Sequence, residues 1–334
     1  MTVEPVEITF LPKDLYSVIM QRRDFLRNSA LATTAAVVGT GAVSNIAASN
    51  SGIYIKPNVS DTTNPLARPM VKKSLKWGMV KEDLSIMDKF KLLKDLGYDG
   101  VELDSPDKLE MKEVLTARDK TGLELPGTVN SMHWKLPLSD PDPKKREECV
   151  KSIEKALRDT KQYGGTTVLV VPGVVNANVT YAEAYERSQA EIRKVLPVAE
   201  ETGVKIAFEN VWNQFLVSPL EAARYVDEFK HPLVGWYFDV GNVLRYSWPT
   251  SWIEALNKRI LKLDLKEFSF KKQNDLGLWK GFDVEFFEGD CNWPEVNKAL
   301  QKVGYSGWAS AEVAGGDRKR LLTIREKMDD IFKA

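Results

Sequence analysis

Histidine is nearly missing from this chain: His133 and His231 are the only two in 334 residues. That excludes a metal centre built from several imidazoles. Cysteine is as scarce, and Cys149 and Cys291 form neither a disulfide framework nor a zinc motif. There is no excess charge of either sign, with Lys+Arg and Asp+Glu both at 47. A basic field for nucleic acid and an acidic tail are therefore both absent. The weakly apolar run from Ser29 to Ala48 is too short and too rich in Ala, Thr and Gly for a good membrane span. What is present is an ordinary globular composition, 43% hydrophobic and 28% charged. It is enough chain for a large core, and its length allows one α/β barrel or two domains.

The first 48 residues read as an address. Arg22-Arg23-Asp24-Phe25-Leu26-Arg27 precedes the small-residue run, the pattern of a twin-arginine export signal. A periplasmic or exported location follows as an expectation, with no stable membrane insertion after export. Met20 stands just before the arginine pair and is a possible true start; small residues around Ala47 and Ala48 suggest cleavage. Residues 1–48 hold four basic and four acidic side chains, so 43 of each remain beyond them. Residues 49–70, with Ser, Asn, Thr and Pro, read as a linker.

Beyond it the pattern alternates, short β-rich runs followed by amphipathic stretches of helical length. Strands are predicted at 74–80, 99–104, 125–132, 166–172, 204–209, 233–239, 260–266 and 307–312. Helices are predicted at 85–96, 108–121, 143–163, 181–202, 218–229, 250–257, 293–303 and 317–332. Ile86, Phe90, Leu93 and Leu96 share one face at helical spacing. Gly97, Gly122, Gly164, Gly203 and Gly304 fall where left-handed helix caps are expected. Eight strand–helix units in residues 71–334 predict a single (β/α)8 barrel with right-handed crossovers and no second domain.

Four of these strands end in a carboxylate: Glu209, Asp239, Asp264 and Glu312. A buried strand ending in an unpaired charge loses stability. Four in succession suggest a shared counter-ion, and hard oxygen donors suit a divalent cation, Mn2+, Mg2+ or Co2+. Any one of them alone could be a helix cap or a turn residue. Strand C-termini are also where barrel chemistry sits.

Other candidates lie on the same face. Glu102 ends the second strand and could bind a hydroxyl or pair with a structural lysine. His133 and Trp134 end the third, suited to a substrate hydroxyl and to stacking, or to ordinary rim packing. Lys266 shares the side of Asp264 by strand alternation and could stabilise an oxyanion. Asn210 and Asn242 could steady the ligands, and His231, at a strand start, reads as structural. About 26 residues, Glu267 to Asn292, join the seventh strand to the next helix and carry Trp279, Phe282, Phe286, Phe287 and Glu288. A loop this long on that face is expected to be a lid or substrate wall, with Glu288 a candidate contact.

From about residue 74 to 330 the chain resembles the sugar phosphate isomerase/epimerase family, the xylose-isomerase-like TIM barrels. The resemblance is carried by Leu96-Gly97-Tyr98-Asp99-Gly100-Val101-Glu102-Leu103, Phe208-Glu209-Asn210-Val211-Trp212-Asn213 and Phe238-Asp239-Val240-Gly241-Asn242. It continues in Glu288-Gly289-Asp290-Cys291-Asn292-Trp293-Pro294 and in Gly304-Tyr305-Ser306-Gly307-Trp308 running into Glu312. It implies a metal held by Glu209, Asp239 and Glu312, with the family's usual histidine replaced by Asp264 in Asp264-Leu265-Lys266-Glu267. It also implies proton transfer next to a carbonyl through an enediolate, with Glu209 and Glu312 as catalytic acid and base. A free sugar or keto-sugar is the expected substrate. The same site could instead eliminate from a 3-keto-glycoside, and a non-catalytic periplasmic sugar-binding barrel is the reading from another class. An endonuclease-type barrel acting on DNA is disfavoured by the scarce histidine and neutral charge. A homo-oligomer is left open.

Overall fold

A computed structural model of the chain describes residues 71–333. The readings of residues 1–48 as an export signal and 49–70 as a linker lie outside them. Among the described residues no helix is long and apolar enough to cross a membrane.

Eight parallel strands alternate with helices and curl into a barrel. The strands are β1 (Val71–Leu75), β2 (Leu103–Ser105), β3 (Gly127–Asn130), β4 (Thr167–Val170), β5 (Lys205–Glu209), β6 (Val234–Asp239), β7 (Ile260–Leu265) and β8 (Gly307–Ala311). The ladder runs β1-β8-β7-β6-β5-β4-β3-β2. A bridge between Lys76 and Glu102 joins its two ends, with Glu102 N–H donating to Leu75 O and Trp77 N–H to Glu102 O.

The helices are α1 (Ile86–Asp95), α2 (Met111–Thr121), α3 (Pro143–Tyr163), α4 (Tyr181–Thr202), α5 (Pro219–Asp227), α6 (Pro249–Leu256), α7 (Phe270–Leu276), α8 (Trp293–Lys302) and α9 (Arg318–Lys333). Local chemistry sets their ends. Thr180 and Glu183 form a reciprocal capping box at the start of α4. Pro143 opens α3 behind the Asp142 cap, and Gly164 closes it at φ +81°, where a side chain would be strained.

The strand period of two sorts the core. All six residues of β6 are buried. Trp236 and Phe238 face the helices and stack near Trp252 of α6, while Tyr237 and Asp239 face the barrel axis. The same parity sends Ile206 and Phe208 outward from β5 and Ala207 and Glu209 inward. Each fully buried aromatic on the outer side contributes about 1.5–3 kcal/mol of transfer free energy. The inward positions stack in layers, and the uppermost layers are polar.

Two expectations are corrected. The first strand lies at Val71–Leu75, earlier than 74–80, with Trp77–Met79 in a 3-10 turn. Lys72 and Lys73 do not prevent pairing, because at the lower rim they reach Glu124 at 2.6 Å and Asp329 at 2.7 Å. The connection from Glu267 to Asn292 is not a bare loop: it contains α7, which Ser269 caps by accepting from Lys272 N–H. Seven helical residues without a marked apolar stripe leave little periodicity to read.

Candidate metal centre

Glu209 is the last residue of β5, Asp239 the last of β6, Asp264 the penultimate residue of β7, and Glu312 follows β8. Register brings them together: Asp239 lies opposite Asp264, and Asp264 opposite Ser310. One oxygen of each carboxylate falls within 4.8 Å of one from every other. Asp239 and Asp264 are fully buried, Glu209 nearly so, and the Glu312 side chain is 39% exposed.

The turns behind the strands hold these side chains. Asn242 N–H donates to Asp239 Oδ1 at 2.8 Å, and Asn242 Nδ2 donates to Glu209 Oε1 at 3.3 Å and Asn210 O at 3.0 Å. Asn210 donates to Asp239 O and accepts from Asp239 N–H and the Trp236 indole. Gly241 lets this turn approach β7, since a Cβ there would sit 2.6 Å from Lys266 O.

The donors do not saturate the cluster. Lys266 Nζ lies 3.1 Å from Asp239 Oδ2 and 3.4 Å from Glu312 Oε2, and Lys76 Nζ lies 2.9 Å from Asp264 Oδ1. These are ion-pair distances. Neither Asp264 oxygen nor Asp239 Oδ2 is hydrogen bonded. Burial, and next the charge of Glu312, push the Glu209 carboxyl well above the usual range. Burial also raises Asp264 far, although Lys76 opposes it, and raises Asp239 against the pull of Lys266. Glu312 goes the other way: burial works against it, but Lys266 and Lys76 hold it low.

Beneath lies a second ionic layer. Glu102 accepts from Lys262, from Lys76 at 2.8 Å, from the Tyr237 hydroxyl at 2.6 Å and from Ser310 at 2.8 Å. Over both layers five carboxylates meet three ammoniums, a formal excess of two negative charges. A divalent cation matches that excess, and the buried carboxylate oxygens, two of them ion-paired but none of the three hydrogen bonded, are hard donors that fit one.

A cavity of about 590 Å³ opens above the cluster. Glu209, Glu312, Asn242 and Lys266 line its floor, and Trp134, Trp212, Trp279 and Phe282 its walls. A larger open groove, about 890 Å³, lies outside the barrel between α4 and α5 and includes none of the four carboxylates.

The other expected residues are placed as follows. His133 is buried, and its Nδ1 accepts from Val171 N–H at 3.3 Å, which leaves the ring proton on Nε2. Burial pushes its pKa down to about 3, so it is neutral. His231 pairs with Glu200 at the strand-start end, away from the cluster, as its structural reading expected. Two expected substrate contacts are corrected. Glu102 is 1% exposed and spent on Lys262, Lys76, Tyr237 and Ser310, so it takes the structural-lysine alternative. Glu288 is exposed on its loop and does not line the cavity. The buried carboxylate in that region is Glu267, which accepts from the N–H groups of Phe287 and Cys291 and from the Trp293 indole. Lys76 was missed because its strand was set too late. Lys262 was missed too, although a lysine amid Ile260-Leu261-Lys262-Leu263 is itself the signal of a buried partner.

Residues 90–332 match the family model described as the Xylose isomerase-like TIM barrel, and the chain belongs to that family. It is 25% identical over 154 residues to 2-epi-5-epi-valiolone 7-phosphate 2-epimerase of Actinoplanes sp., covering 46% of this chain and about half, 53%, of that protein. It is 22% identical over 254 residues to L-ribulose-5-phosphate 3-epimerase UlaE of Escherichia coli O1:K1 / APEC, covering 71% of this chain and 87% of that one. Among solved structures, 3-keto-D-glucoside 4-epimerase YcjR from E. coli superposes with a TM-score of 0.66 at 16% identity, covering 79% of this chain and all of that one. The relatives are sugar epimerases, which supports an isomerase-class enzyme.

Proposed function

We propose that this member of the family is a metal-dependent sugar isomerase or epimerase that moves a proton on the carbon next to a carbonyl. The observation that carries the reading is the convergence of four carboxylates from successive strands at the floor of one cavity. Glu209, Asp239, Asp264 and Glu312 would hold Mn2+, Mg2+ or Co2+, which supplies Lewis-acid polarisation of a carbonyl and its neighbouring hydroxyl.

The chain's own residues do the rest. A carbon next to a carbonyl is a very weak acid, so a positioned base and a positioned acid are both needed. Glu209 and Glu312 line the cavity and fill those roles at their carboxylate oxygens. One takes the proton, and the other returns one to the opposite face or to the neighbouring carbon. Lys266, whose side chain is 18% exposed at the cavity, faces the negative oxygen that develops on the enediolate. Asn242 keeps Glu209 and Asp239 in place. Trp134 is exposed on the cavity wall for contact with the sugar, and the buried, neutral His133 packs against its ring. A substrate seated against the aromatic walls would displace water from the floor and strengthen these interactions. The twin-arginine pattern in residues 22–48 adds the proposal that the protein works after export, on sugars outside the cytoplasm.

The test is proton exchange in D2O with the Mn2+-loaded protein and a panel of keto-sugars and 3-keto-glycosides. Deuterium entering the recovered sugar together with its interconverted partner is expected. Release of an aglycone with an enone product would move the reaction to elimination. Absence of exchange across the panel would overturn the enzyme reading and favour a sugar-binding barrel.

A further inference from the structure

We propose that the substrate carries a second ring and no phosphate: a keto-glycoside whose reacting, ketone-bearing ring sits over Glu209 and Glu312 and whose second ring rests on Trp279 and Trp134. This rests on the epimerase reading above and adds the substrate class.

The cavity is two-sided. Its polar groups, Glu209, Asn242, Lys266 and Glu312, gather at the floor, and its walls are aromatic. About 590 Å³ lies in the range of pockets that enclose drug-sized ligands, and is more than one pyranose ring fills. The Trp212 ring is already taken, with the Arg245 guanidinium 4.6 Å from its centroid and Phe282 at 4.9 Å, while its indole N–H donates to Asn242 O. Trp279 packs beside Trp212 yet stays 66% exposed, and Trp134 is 54% exposed with its ring edge-on to His133. Two large aromatic rings left open on one cavity are apolar surface awaiting a flat partner. The apolar face of a sugar ring or an aryl group supplies one.

The seats for a phosphate are filled by the protein itself. Barrels hold phosphate at the loops after the last strands and at the N-terminus of the following helix. Here, at the start of α9, Arg318 N–H donates to Glu82 at 2.6 Å and Arg320 N–H to Asp317 at 2.9 Å. The Arg320 guanidinium is held by Glu285 at 2.6 Å and by Ala314 O. Among the described lining residues the one cation is Lys266, already paired with Asp239 and Glu312. A phosphate dianion in this cavity would face Glu209, Asp283 and Glu312.

The experiment is calorimetric titration of the Mn2+-loaded protein with matched methyl and phenyl glycosides of glucose, galactose and xylose, and with glucose 6-phosphate. At least one phenyl glycoside should bind tenfold or more tightly than its methyl partner, and the phosphate should bind more weakly than methyl glucoside. In Trp279→Ala and, separately, Trp134→Ala, that ratio should fall towards one. Equal affinity within every pair, no binding of any glycoside, or tighter binding of the phosphate overturns the proposal. Deuterium exchange on keto-sugars without an aryl preference sinks the second-ring site and leaves the reaction standing. An aryl preference without exchange does the reverse.

Discussion

Two buried carboxylates a few ångströms apart in the same barrel meet opposite fates. Glu102 receives four donors, Lys262, Lys76, Tyr237 and Ser310. The two ammoniums overcome burial and hold its pKa far below the usual carboxylate range. Asp264 shares Lys76, at 2.9 Å, but neither of its oxygens is hydrogen bonded, and burial pushes it far above that range. Burial of charge is common to both layers and so does not mark function. The difference is unmet demand: a satisfied carboxylate braces the barrel, and an unsatisfied one waits for a cation or a proton.

The sharpest break of that comparison is in the upper layer. Glu312→Gln or Glu209→Gln is expected to cost about 10⁴-fold in turnover, the upper end for a lost acid or base, with the circular dichroism spectrum retained. Activity persisting in either variant would remove it from the proton-transfer pair. In the lower layer Glu102→Ala strands Lys262, which is 1% exposed, and should destabilise the fold by about 3–5 kcal/mol in urea. Replacing Glu102 and Lys262 together by Met should recover most of that loss. If Glu102→Ala costs nothing, the lower layer is not a brace. Mn2+ at 100 times its dissociation constant should raise stability by about 2.7 kcal/mol. Chelation should reverse this, Asp264→Asn should shrink it, and a thermal shift measurement reads all three.

A graded effect, read per pH unit, concerns His133. Its folded pKa of about 3 lies below the ordinary value of 6.5, so the unfolded chain takes up the proton first. Its contribution is complete above about pH 6.5 and is lost as pH falls towards 3. His133→Gln should flatten stability against pH in that window by about 1.4 kcal/mol per unit. An unchanged slope would mean that the ring is not held neutral by burial.

Much of the fold was legible because the signals are local. The helices Pro143–Tyr163 and Tyr181–Thr202 lie where periodicity and caps put them. The strands carrying Glu209, Asp239 and Asp264 at or next to their ends do so too, since β-rich runs bounded by turns report their own ends. The first strand was misplaced because its lysines look unlike a strand until Glu124 and Asp329 arrive from elsewhere in the fold. Glu288 attracted notice by its place in the loop, whereas the carboxylate that works there is Glu267, bound to donors about twenty or more residues away.

The sequence by itself determined the alternation of strands and helices, the barrel and the four carboxylates at strand ends, because propensity, period and capping act within a few residues. Only the tertiary structure decided which charges are satisfied. That depends on strand register, which sets Asp239 beside Asp264 and brings Lys76 to both Glu102 and Asp264 across the closure of the barrel. Electrostatic demand is fixed by neighbours within a few ångströms, and in a closed barrel those neighbours come from opposite ends of the chain.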